Sequence, residues 1–147
     1  MKNRIIVLVI VMAMVALLSL TASAEGADHY QSVTAMSQED VEAFAASVRS
    51  AYLDQDWETI SGMIRYPITM YPDVEIADAP EFLSYMKGKT VSAGDIAQME
   101  EETCEDMFVN GEGICMGSGQ IWLLDENYME SGEPRLQINA VSGIEAD

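Results

Sequence analysis

The spacing of apolar positions changes several times along the chain, and each change marks an element. From Ile5 to Leu20 every residue but Ser19 is apolar, a continuous run with no face. From Ser37 the pattern turns helical. Val41, Phe44, Val48, Ala51 and Tyr52 recur at three- and four-residue steps, behind Ser37 and Asp40 in a capping arrangement, and predict an amphipathic helix over Gln38 to Leu53. Asp54 and Asp56 interrupt it. Trp57, Ile60, Met63 and Ile64 then predict a shorter helix, weakened near its end by Gly62.

At Tyr66 the period drops to two. Tyr66, Ile68 and Met70 alternate with Pro67, Thr69 and Tyr71, a strand that its prolines confine to an edge or to its own ends. A short run, Val74 to Ile76, follows the Pro72-Asp73 turn signal. Asp78-Ala79-Pro80-Glu81 is a helix start, with an acceptor at the cap and proline in the first turn, and Phe82, Leu83 and Met86 give that helix its apolar side. Ser92 and Asp95 repeat the capping pattern ahead of Ile96 and Met99. Strand character returns at Met107-Phe108-Val109, reverses at Asn110-Gly111, and runs from Ile114 to Leu124 as one long strand that Gly117 and Gly119 would bulge or bend. After a polar connection from Asp125 to Pro134, Leu136, Ile138 and Ala140 alternate in a last strand. Helices and strands segregate rather than alternate, which predicts an α+β fold.

The first apolar run has a separate meaning. Lys2 and Arg4 precede it and Ala22-Ser23-Ala24 follows with small residues at the spacing signal peptidase reads, so residues 1–24 are expected to be a cleaved secretory signal peptide. The run falls short of the roughly 20 apolar residues of a membrane span. Residues 25–36 show no period and read as a flexible lead-in, and residues 37–147 as a single domain. The expected location is outside the cytoplasm, periplasmic or extracellular, with no membrane attachment after cleavage.

Charge narrows the partners. The chain carries 25 acidic residues against seven basic ones, for a net charge of −18, and the signal peptide holds two of the seven. Nucleic acid, which demands a basic stripe, is excluded as a partner, and so are anionic membrane surfaces. A small apolar ligand, a cationic protein or a second copy of the chain remain as expected partners. Two cysteines in an exported chain meet the conditions for a bridge, and Cys104–Cys115 is expected as a disulfide across the Asn110-Gly111 reversal. A tight hairpin there would not set them directly opposite. A bulge near Gly113 would correct the offset.

No motif calls for a metal or a cofactor. The five carboxylates between Glu100 and Asp106 lack the spacing and turn glycine of a calcium loop. His29, the one histidine, sits in the lead-in, a poor place for a general base or ligand, and without a histidine to activate them the serines offer no triad chemistry. Gly111-Glu112-Gly113 and Gly117-Ser118-Gly119 precede no helix and form no phosphate cradle.

Asp56-Trp57-Glu58, Ile60, Met63-Ile64, Tyr66-Pro67-Ile68, Phe82, Met107-Phe108-Val109-Asn110, Gly113-Ile114 and Met116-Gly117-Ser118-Gly119-Gln120-Ile121-Trp122 together resemble the nuclear transport factor 2-like superfamily, in particular small exported bacterial members. The resemblance spans residues 38 to 143. It implies a curved antiparallel sheet wrapped on a long N-terminal helix, with an apolar pocket between them. Members use that pocket for isomerisation, dehydration or epoxide hydrolysis, or only to bind, and others act through protein contacts; fold does not choose among these. The candidate pocket lining is Tyr66, Ile68 and Met70 with Trp122, and the expected function is that of a non-catalytic binding module. A pocket enzyme of isomerase or dehydratase type would need a carboxylate base and a tyrosine, for which Tyr66, Tyr71, Asp73 and Asp106 are the candidates. A third reading is an acidic partner-binding or inhibitor protein.

Overall fold

In a computed structural model, residues 28–70, 73–128 and 132–146 are described. The expected signal peptide, the start of the lead-in and Tyr71 lie outside them. The fold is α+β, with helices α1 (Gln38–Leu53), α2 (Trp57–Met63), α3 (Ala79–Met86) and α4 (Ala93–Glu101). The strands are β1 (Ile68–Met70), β2 (Val74–Ile76), β3 (Lys89–Val91), β4 (Phe108–Asn110), β5 (Gly113–Met116), β6 (Ile121–Asp125), β7 (Leu136–Val141) and β8 (Ile144–Ala146).

Every helix starts where its cap says. Ser37, Asp56, Asp78 and Ser92 each accept the N–H of the third residue on, from Asp40, Thr59, Glu81 and Asp95 respectively. Such a cap is worth about 1 kcal/mol over alanine. Strands β4-β5-β6-β7 form an antiparallel meander, while β1 pairs with β2 and β3 with β8, both antiparallel. Beside β7, Ile64 makes an isolated parallel bridge to Ile138, and the Arg65 N–H donates to the Ile138 carbonyl at 2.8 Å. The inward rows Ile114, Leu123, Ile138 and Met116, Ile121, Val141 join Val41, Ala45, Val48 and Tyr52 of α1, Ile60, Phe82 and Met99 in one buried apolar core.

Some features depart from the sequence reading. The run from Ile114 to Leu124 is two strands, not one. Gly117 and Gly119 adopt φ of 63° and 106° in the turn between β5 and β6, and the Gly119 N–H donates to the Met116 carbonyl at 3.3 Å. Positive φ is the conformation glycine adopts without strain. The bulge lies instead between β6 and β7, where the register shifts after Trp122, so Val141 turns inward and Ala140 outward.

Nor does the lead-in hang free over residues 28–36. Tyr30 and Val33 are buried, the Tyr30 hydroxyl accepts the Met107 N–H at 2.9 Å, and the Thr34 hydroxyl donates to the Asp125 carboxylate at 2.6 Å. Distant partners 77 and 91 residues along the chain anchor this segment, and no local period announces them.

Candidate functional site

A cleft of about 300 Å³ opens where the ends of several elements meet. Its walls are Met70 at the end of β1, Tyr85 on α3, Asp95 in the first turn of α4, Val141 at the end of β7, the Ser142-Gly143 turn, and Ile144 of β8. The volume is at the lower end of the range of small-molecule sites. Met70, Val141 and Ile144 make it apolar. Asp95 is the one carboxylate among the described residues that line it.

The position of Asp95 follows from capping chemistry. Ser92 caps α4 by accepting the Asp95 N–H at 3.1 Å and in return donates its hydroxyl to Asp95 Oδ2. Gln120 donates Nε2 to Asp95 Oδ1 at 2.8 Å. The opposite wall is fixed by the Ser142-Gly143 turn. The Ser142 carbonyl accepts the Tyr52 hydroxyl at 3.1 Å, and the Gly143 carbonyl accepts the Ser92 N–H at 3.1 Å. Gly143 has φ of 78°, and a Cβ there would come within 2.6 to 2.7 Å of the Asp95 carboxyl and 2.9 Å of the Tyr52 hydroxyl. Only glycine lets the turn close this tightly on Asp95. Burial, and then the charge of Asp95, hold the Tyr52 phenol well above its ordinary range, so it remains a donor.

A wider depression of about 460 Å³ lies between residues 28–37 and Tyr128. Its carboxylate, Asp28, already accepts the Tyr30 and Gln38 N–H groups. Among the described residues that line it, the other ionisable group is Tyr128, whose hydroxyl donates to the Gln31 carbonyl at 2.7 Å. The smaller cleft is therefore the better candidate.

Of the residues singled out in sequence, Met70 lines this cleft. Ile68 is buried in the core on the same face of β1, and Tyr66 packs half-buried against the core with its hydroxyl donating to the Ser61 carbonyl at 3.1 Å. Burial and then the charge of Asp78 push the Tyr66 phenol up to about 12. Trp122 lies on the opposite face of the four-stranded sheet and does not meet them. Asp73 is exposed in a turn, and Asp106, also exposed, accepts Gln38 Nε2 at 3.1 Å. His29 Nε2 hydrogen-bonds the Met107 carbonyl at 2.8 Å.

Cys104 and Cys115 are free thiols, the first buried and the second half-buried. Cys115 faces Phe108 across the β4-β5 hairpin, whereas Cys104 sits in the turn that leaves α4, its backbone at φ of 62°. Burial, followed by the charge of Glu102, raises both thiols, Cys104 to about 11. Glu102 itself accepts the N–H groups of Cys104 and Gly117 at 2.9 and 2.7 Å and ties the end of α4 to the β5-β6 turn. Among the described residues no group of three or more His, Cys, Asp or Glu is placed to hold a metal.

Tyr85, Asp95 and the Ser142-Gly143 turn were absent from the sequence candidates. The signal available was the Ser92-Asp95 capping pair, which fixes the direction of that carboxylate. No protein-family model, curated protein or solved structure matches this chain.

Proposed function

We propose that this chain is an exported, non-catalytic binding module of nuclear transport factor 2-like build, and that the cleft at Asp95 takes a small ligand with an apolar body and a cationic or donor group. The bulged antiparallel meander over the 16-residue α1 supports the cone reading. The observation that carries the function is one carboxylate, held by Ser92 and Gln120, in the wall of a cleft otherwise dominated by Met70, Val141 and Ile144. Asp95 is half-buried and each of its oxygens already accepts a hydrogen bond, Oδ2 from Ser92 and Oδ1 from Gln120, which fixes the direction of the carboxylate. It orients a ligand.

Displacement of a bound apolar dye tests this reading, with a primary alkylamine and the alkyl carboxylate of equal length as competitors. The amine should compete at least about tenfold better, a difference of about 1.4 kcal/mol, and Asp95→Asn should level the two. Equal competition in the wild type would reject the assigned ligand class. Export is tested separately: the secreted protein should begin at Glu25, and recovery of intact Met1 in the membrane fraction would refute it.

A further inference from the structure

Residues directly opposite one another in antiparallel strands share a face of the sheet. The register Phe108–Cys115–Trp122–Ala140 therefore lays one row of side chains across all four strands of the meander. Its neighbours, Val109–Ile114–Leu123–Ile138 and Met116–Ile121–Val141, point into the core. The row lies on the outer face. Leu124, two residues beyond Trp122, extends it. Phe108 is 63% exposed, the most exposed large apolar side chain among the described residues, and Cys115, Trp122, Leu124 and Ala140 are half-buried. A one-sided sheet ordinarily turns polar side chains outward. An unbroken apolar row across four strands is instead the composition of an interface core.

Charge identifies what fits it. From Glu100 to Glu126 the chain has no lysine, arginine or histidine. Glu105 and Asp106 lead into Phe108 and Glu112 stands in the β4-β5 turn, all three exposed, while Glu126, after β6, pairs with Arg135 at 3.9 Å. On the same face Gln137, opposite Leu124, has a buried Oε1 that meets no donor among the described residues. We infer that this face docks a cationic protein partner that presents apolar side chains between lysines or arginines. A second copy would set two acidic rims together on chains of net charge −18, which opposes self-association.

The Trp57→Phe variant makes Trp122 the only tryptophan, since the chain has two. The probe is a synthetic strand-length peptide alternating lysine with valine, compared with its glutamate counterpart. The lysine peptide should shift Trp122 emission saturably, bind more weakly as salt rises, and bind about tenfold more weakly to Phe108→Thr, a loss typical of an interface anchor. Thr suits an exposed strand, and an unchanged melting curve checks the fold. Glu105→Lys with Glu112→Lys keeps the apolar row and should also weaken binding. Equal response to the glutamate peptide, or no effect of either set of substitutions, overturns the inference. So does a dimer in sedimentation that Phe108→Thr dissolves, which would give the face to a second copy.

Discussion

Substitution of Asp125 should show how the fold closes on itself. Its side chain is only 4% exposed, yet it accepts the Thr34 hydroxyl at 2.6 Å and the N–H groups of Asn127 and Arg135 at 2.9 Å each. One carboxylate thereby joins the lead-in, the end of β6 and the approach to β7. Burial alone would raise its pKa, but the bonds from Thr34, Arg135, Asn127 and Ala35 outweigh burial and hold it below the usual carboxylate value. Hydrogen bonds to a charged group contribute about 1.5–3 kcal/mol each and are not additive. Asp125→Ala, which strands these donors, should therefore cost at least about 3 kcal/mol, and Asp125→Asn, which keeps one acceptor oxygen, about half that. Because the folded pKa is depressed, the contribution is complete above the unfolded value of about 3.9 and is lost as pH falls through the folded value. Urea unfolding followed by tryptophan fluorescence at pH 7, and again below pH 4, measures both effects. The gap between wild type and Asp125→Asn should narrow at the acid end. A cost under about 1 kcal/mol for Asp125→Ala at pH 7, or a gap that does not change with pH, would refute the role assigned to this carboxylate.

Gly143→Ala should destabilise by about 1–3 kcal/mol through positive φ and the clash with Asp95 and Tyr52, seen as a lower melting temperature; an unchanged one would contradict the tight turn. Tyr30→Phe removes the acceptor of the buried Met107 N–H and should cost about 1–3 kcal/mol in urea unfolding; no loss would mean the lead-in is not anchored. With both thiols raised, alkylation of the native protein at pH 8 should be slower than that of a free thiol and should speed up in denaturant. Intact mass should match two free thiols, and a mass two hydrogens lower would show a bridge.

The helix starts were legible because a cap is a local event: Ser37, Asp56, Asp78 and Ser92 act within three residues of themselves. What escaped the sequence depends on distant partners. Strands β3 and β8 are three residues each and pair across more than fifty intervening positions, so neither has a period long enough to read. Gly117 and Gly119 signal positive φ, but a bulge and a turn both use it, and only the pairing of Met116 with Ile121 decides for the turn. The same holds at the cleft. Met70 was visible as the inward end of an alternating strand, whereas Tyr85, Asp95 and Gly143 converge from three other elements with no shared motif. Trp122 reads as apolar and therefore inward, until the register puts it beside Cys115 on the outer face.

Amide chemical-shift mapping during titration with the primary alkylamine tests the binding function most directly. Saturable shifts should centre on Met70, Tyr85, Asp95 and residues 141–144, which line the cleft, and should disappear in Ile144→Trp, whose larger side chain fills it. Shifts confined to the outer row at Phe108 and Trp122, or no saturable shift at all, would contradict it.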